Sequence, residues 1–171
     1  CSSSAPVCCC TGVSADWAGS RSLSAGFHGC PLRLDAVTTD GMPLSPPALR
    51  IVDSITELRP IDAGCLAVSG SHGGMSSARY ALAARPLLSV FNDAGVGLDN
   101  AGIKALPWLQ EHELAACAVA HTSARIGEAE STLATGVVSH ANPLAQALGV
   151  RPGLPCSALP ALLGAASLRP A

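Results

Sequence analysis

The sequence predicts a three-layer α/β domain in which a mostly parallel sheet of four or five strands is flanked by helices, in a Rossmann-like or flavodoxin-like arrangement. Short apolar segments alternate with helical segments from residue 48 onward, which is typical of βαβ units. These apolar segments are continuous, as expected for strands that are covered on both faces. The chain has 171 residues, of which 49% are hydrophobic and 13% charged, so it can bury the core of one domain.

Five apolar segments are predicted to be strands, because turn-forming residues bound each of them. They are Leu49–Val52, Cys65–Ser69, Leu87–Phe91, Ala115–Ala120 and Val137–Ser139. The connection between the first two contains Pro60 and Gly64 and is predicted to be a turn or a single helical turn. The strand order does not follow from these patterns.

Five helices are predicted between and after these strands. They cover Ser76–Ala84, residues 99 or 100 to 110, Glu128–Ala134, Pro143–Leu148 and residues 157–166. Pro86 ends the first helix, because a residue before proline avoids the helical region. Pro107 predicts a kink or an early stop in the second helix. Ser157 is the expected N-cap of the last helix, whose residues Leu159, Leu162 and Leu163 form a candidate oligomer interface or ordinary core.

Residues 1–44 differ from the rest of the chain, and residues 45–171 are predicted to form the single α/β domain. The first segment is rich in Ser, Gly, Cys and Ala and has no sustained helical or strand period. We expect a low-order tail there, and residues 1–41 are interpreted as an upstream extension or a misassigned start, outside the functional domain. An ordinary flexible tail is the alternative interpretation.

Composition also excludes several classes of partner. Basic residues are scattered singly, which argues against nucleic-acid binding. No apolar segment is long enough to span a membrane. Cys65, Cys117 and Cys156 are isolated in apolar surroundings and are expected to be buried thiols. We therefore expect a cytoplasmic protein, and its apolar composition is compatible with a homo-oligomer.

Polar side chains follow the predicted strands at the point where each strand ends. His72, His121 and His140 each come after an apolar segment, and Asp93 follows another. Ligands of open α/β sheets bind outside the carboxyl ends of the strands, so these four side chains are expected to converge. Together with Ser71 they are the candidate catalytic residues. Asp93 would orient a histidine, and a histidine would transfer protons near neutral pH.

The same loops supply the candidate ligand-binding residues. Gly73 and Gly74 lie between a predicted strand and a helix, where backbone N–H groups can bind an anion. Arg125 can hold a carboxylate or phosphate by two hydrogen bonds, or pair with Glu128 or Glu130 at the surface. The remaining candidates are polar residues of the other loops, namely Asn92, Ser123 and Asn142.

These residues predict an enzyme acting on a small anionic metabolite, with hydrolase-type acid–base or nucleophilic chemistry and no cofactor. Isomerase or lyase chemistry would use the same groups. One alternative is a metal-dependent hydrolase in which His72, Asp93, His121 and His140 bind a divalent metal. Another is a domain that binds a metabolite or forms oligomers without catalysis.

Overall fold

The fold is a five-stranded sheet in the order β1-β2-β3-β4-β5, with helices on both faces. The structure is a computed structural model that describes residues 46–166, so the predictions made for residues 1–44 lie outside the described residues. The strands are β1 (Leu49–Val52), β2 (Leu66–His72), β3 (Leu88–Asn92), β4 (Ala115–Val119) and β5 (Val138–Ala141). The first four strands are parallel, and β5 is antiparallel to β4.

In the described part of the chain, five helices and four 3-10 turns connect and follow these strands. The helices are α1 (Met75–Ala84), α2 (Ala105–Glu111), α3 (Ala129–Thr135), α4 (Pro143–Ala147) and α5 (Leu159–Ala166). The 3-10 turns are Ile55–Glu57, Pro60–Asp62, Leu98–Asn100 and Cys156–Ala158. The predicted mostly parallel α/β class is therefore confirmed. The sequential strand order lacks the reversal that characterises the Rossmann and flavodoxin sheets.

The two faces of the sheet bury separate hydrophobic cores. Ala67 and Phe91 pack with α1 and α2 on one face. On the other face, Leu66, Val68 and Val90 pack with α4 and α5. Each parallel strand from β1 to β4 is added on the same side of the previous one. Because crossovers between parallel strands are right-handed, all these connections lie on one face of the sheet, so α1 and α2 share a layer. The elements after β4 cover the other face and complete the three layers.

The second strand extends further than its composition predicted. Residues 70–72 were expected to lie in the loop that follows the predicted strand Cys65–Ser69, but they continue β2 as far as His72. The buried Ser69 hydroxyl donates to the carbonyl oxygen of Val90, which satisfies a polar group inside the sheet. At Gly70 a Cβ would collide with the backbone of Gly127, so this glycine permits close packing of the segment before α3.

Two predicted helix starts were wrong. Asp99 and Asn100 have positive φ values of 52° and 60°, which a right-handed helix cannot contain, so α2 begins only at Ala105. Pro107 therefore falls in the first turn of α2, where its missing N–H does not break a helical hydrogen bond. Ser157 lies inside a 3-10 turn and does not cap α5. Leu159 and Leu163 of α5 are buried in the core and Leu162 packs against it, as the ordinary-core alternative predicts.

Candidate active site

Asp93 follows β3 and is the centre of the polar cluster at the carboxyl edge of the sheet. Its side chain is 7% exposed. Oδ1 accepts hydrogen bonds from the backbone N–H groups of Gly95 and His121, both at 2.9 Å. The same oxygen is 3.1 Å from Nδ1 of the His121 ring, and Oδ2 accepts from the Ser139 hydroxyl at 2.9 Å. A buried carboxylate with four donors is fixed in one orientation.

These hydrogen bonds hold Asp93 in its ionised form. Burial by itself would raise the pKa of Asp93, because it removes water from the charged carboxylate. The donors at Gly95, His121 and Ser139 outweigh that effect, and the pKa of Asp93 is lower than its ordinary value. The site therefore contains a negative charge at neutral pH.

The hydrogen bonds of Asp93 also define the tautomer of His121. An ionised carboxylate can only accept hydrogen bonds, so Nδ1 of His121 carries the proton and Nε2 has the free lone pair when the ring is neutral. The ring packs against Gly95, where an added Cβ would lie 3.5 Å from Cε1. The His121 side chain is 53% exposed, so it is oriented by a buried group and remains accessible to a ligand.

Ser139 and His140 join the cluster because β5 is antiparallel to β4. Val138 pairs with Val119, so the start of β5 lies beside the carboxyl end of β4. The Ser139 hydroxyl donates towards Asp93 and, at 3.2 Å, towards the carbonyl oxygen of Ala118. Its oxygen is also 3.0 Å from Nδ1 of His140, and because its single proton already points to Asp93 and Ala118, Nδ1 is the donor in this contact. One hydrogen-bonded chain thus connects His140 to His121 through Ser139 and Asp93.

A strained loop after Asp93 holds this carboxylate in place. Ala94 and Val96 have positive φ values of 49° and 66°, and such values are unusual for residues with a Cβ and rare for β-branched ones. The side chains of Asn92 and Asp93 accept hydrogen bonds from the N–H groups of Ala94 and Gly95, and these contacts stabilise the left-handed turn. Strain of this kind concentrates at functional sites, where it pre-organises reactive groups.

His121 lies on the wall of a cleft of about 900 Å³ between the β4–α3 loop and α3. Arg125 lines this cleft and has a side chain that is 79% exposed. Its guanidinium is 3.6 Å from a carboxylate oxygen of Glu128, which is a long contact between exposed groups. The remaining lining residues are mostly small or polar: Asn92, Ala94, Thr122, Ser123, Ala124, Ile126, Ser131 and Thr135.

Of the side chains that were predicted to lie close together, those of Asp93, His121 and His140 do so. Those at the end of β2 do not. The Ser71 hydroxyl accepts a hydrogen bond from the N–H of Ile55. His72 is exposed, and its ring lies over Gly74, where an added Cβ would be 2.8 Å from Nε2. Gly73 donates its N–H to the carbonyl oxygen of Asn92, so that N–H is not free to bind an anion. None of these residues makes a hydrogen bond with the Asp93 cluster in the described part of the chain.

Three other candidate residues use their polar atoms to join structural elements. Asn92 donates to the carbonyl oxygen of Ala124 and so links β3 to the β4–α3 loop. Ser123 donates to Ala120 and accepts from Val137. Asn142 lies near the start of β4, at the edge of the sheet opposite Asp93, because its N–H donates to the carbonyl oxygen of Ala116.

The Asn142 side chain has no unpaired polar group, because its amide makes four hydrogen bonds. Its oxygen accepts from the N–H groups of Ala116 and Ala145, and its nitrogen donates to the carbonyl oxygens of Leu106 and Leu114. Asn142 is 4% exposed and also caps α4. This residue therefore connects α2, β4 and α4.

The described residues give no support to the metal-dependent alternative. Within residues 46–166, no three His, Cys, Asp or Glu side chains are grouped as ligands of one ion.

Cys65, Cys117 and Cys156 are buried free thiols, as predicted, and burial raises the pKa of Cys65 to about 11.

Comparison with known proteins adds no family assignment. No family model matches this chain, and no match was found among curated proteins or solved structures. Among residues 46–166, no helix has both the length and the apolar character needed to cross a membrane.

Proposed function

We propose that this protein is an enzyme that acts on a small anionic molecule by general acid–base catalysis at His121. The observation that carries the proposal is the Asp93–His121 pair, in which a buried carboxylate orients a half-exposed histidine on the wall of a cleft. A carboxylate that binds Nδ1 stabilises the imidazolium formed when Nε2 accepts a proton.

Hydrolysis is the reaction class that these groups favour. Nε2 of His121 would remove a proton from water while the oxygen attacks an acyl carbon, and the same proton would then pass to the leaving group. Direct attack by a serine is not favoured. The Ser71 hydroxyl accepts from the N–H of Ile55. The Ser139 hydroxyl donates its proton to Asp93, and Nδ1 of His140 is the donor in its contact with Ser139. Neither hydroxyl therefore gives its proton to a basic nitrogen, as an activated nucleophile requires.

Arg125 is the group that would select an anionic substrate. It lines the same cleft as His121, and its only ion pair in the described part of the chain is the long contact with Glu128. A substrate carboxylate could replace that contact with two parallel hydrogen bonds to the guanidinium.

A panel of aryl esters and anilides, each with and without a carboxylate, tests this proposal. We expect His121→Gln to lower kcat/KM by about 100-fold or more, because general acid–base catalysis contributes at least that factor. His112→Gln is the matched control, since the His112 ring stacks on Trp108 at the end of α2. Arg125→Gln should raise KM for the carboxylate-bearing substrates only.

Two results would count against the proposal. If His121→Gln turned over the panel as fast as the wild type, His121 would not be the base. If the wild-type protein bound the carboxylates without converting any of them, the alternative of a non-catalytic binding domain would be supported.

A further inference from the structure

A second concave surface, here called the His140 groove, lies between α2 and the segment around β5 and the start of α4. Its volume is about 590 Å³, which is within the usual range of small-molecule sites. Its walls are largely apolar and are formed by Ile103, Leu106, Pro107, Ala141, Pro143 and Pro152. The proline rings cannot change their backbone φ, so these walls are rigid.

The polar groups of the groove restrict what it can bind. Nδ1 of His140 donates to Ser139, so Nε2 of the neutral ring is an acceptor. Gln110 also lines the groove, and its side-chain oxygen already accepts from the N–H of Leu144. Among the described residues that line the groove, Glu111 is the one that is charged, and it is exposed. A ligand should therefore bring a hydrogen-bond donor and carry no negative charge.

We propose that the His140 groove binds an uncharged aromatic molecule that carries one hydroxyl group, as phenol does. A flat ring buries a large apolar area against proline and aliphatic side chains while losing little conformational freedom. Its hydroxyl donates to Nε2 of His140, which Ser139 holds in the required tautomer. This site is separate from the His121 cleft, and the proposal does not depend on the function assigned to that cleft.

NMR titration of the full ¹⁵N-labelled chain with phenol tests the proposal directly. We expect saturable shifts in the millimolar range at Ile103, Ala141 and the Nε2 of His140. Cyclohexanol tests the aromatic requirement, and benzoate tests the exclusion of anions near Glu111. Both should shift the same signals at least threefold less than phenol at equal concentration.

Two matched substitutions locate the site. Ile103→Trp should fill the groove and abolish the phenol shifts. Ile126→Trp places the same large ring in the His121 cleft, where Ile126 is 55% exposed, and should leave phenol binding unchanged. His140→Phe keeps a ring of similar size but removes the acceptor, so the phenol affinity should fall at least threefold.

Several outcomes would overturn the proposal. The absence of saturable shifts in the wild-type chain is one, and it does not depend on any variant folding. Shifts centred on Thr122 or Ile126, or loss of binding in Ile126→Trp, would place phenol in the His121 cleft. Equal shifts with cyclohexanol would refute the aromatic requirement.

Discussion

Replacing Asp93 with alanine removes the acceptor of four hydrogen bonds, but the structure indicates that only part of this loss reduces stability. The His121 ring is half exposed and can bind water after the substitution. The Ser139 hydroxyl keeps the carbonyl oxygen of Ala118 as an acceptor at 3.2 Å. The N–H groups of Gly95 and His121 lose their partner.

The expected magnitude follows from these two N–H groups. A hydrogen bond to a charged group contributes about 1.5 kcal/mol or more, so Asp93→Ala should lower the free energy of unfolding by about 3 kcal/mol. Asp93→Asn keeps an oxygen for both N–H groups, but it removes the charge and replaces the oxygen that accepts from Ser139 with an amide nitrogen that donates, and it should cost about 1 kcal/mol. Glu130→Gln in the exposed part of α3 is the control and should change stability by less than about 0.5 kcal/mol.

Urea unfolding, monitored by circular dichroism at a series of pH values, measures these differences in the free energy of unfolding. The pKa of Asp93 is lowered in the folded protein, so its ionisation stabilises the fold above the unfolded pKa of about 3.9. This stabilisation is lost as the pH falls through the folded pKa. The cost of Asp93→Asn should therefore be greatest at pH 7 and shrink below about pH 4.

The reasoning is refuted if Asp93→Ala costs less than about 1 kcal/mol, because the N–H groups of Gly95 and His121 would then not need this acceptor. It is also refuted if Asp93→Asn costs the same at pH 7 and pH 3, because the carboxylate charge would then contribute nothing.

Three further substitutions test other parts of the account by the same unfolding measurement. Val96→Gly should stabilise the protein by up to about 1 kcal/mol, because glycine adopts the positive φ of this position without strain. If the free energy of unfolding fell by more than about 1 kcal/mol, Val96 would not be strained. Asn142→Ala should lower the free energy of unfolding by at least about 3 kcal/mol, since four buried backbone groups lose their hydrogen bond to this side chain. A cost near that of an ordinary surface substitution would show that Asn142 does not hold α2, β4 and α4 together. Ser89→Ala should stabilise by about 1 kcal/mol, because Oγ of Ser89 is buried without a hydrogen-bond partner among the described residues, whereas destabilisation would show that it has one.

Local apolar patterns predicted most of the sheet because buried parallel strands are continuous hydrophobic segments. Leu49–Val52 matches β1, the predicted third strand is shifted by one residue from β3, and the predicted fourth strand is one residue longer than β4. Residues 70–72 were misjudged because glycine, serine and histidine are typical of loops. Their place in β2 depends on the neighbouring strand, because His72 pairs with Asn92 of β3.

Long-range contacts account for what the sequence did not predict at the site. Asp93 and His121 follow adjacent parallel strands, so their proximity could be expected from the strand ends. Ser139 was missed because its contact with Asp93 requires β5 to be antiparallel, which the short segment around it does not specify. The left-handed turn was also missed, since valine gives no sequence signal for the positive φ of Val96.

The central claim is that buried Asp93 holds His121 with its proton on Nδ1 and leaves Nε2 free on the cleft. Long-range ¹H–¹⁵N NMR of the histidine rings, recorded where the rings are neutral, tests it without a substrate. The account predicts the Nδ1–H tautomer for His121 in the wild-type protein and loss of that preference in Asp93→Ala. An Nε2–H tautomer in the wild type, or an equal mixture that Asp93→Ala does not change, would contradict it.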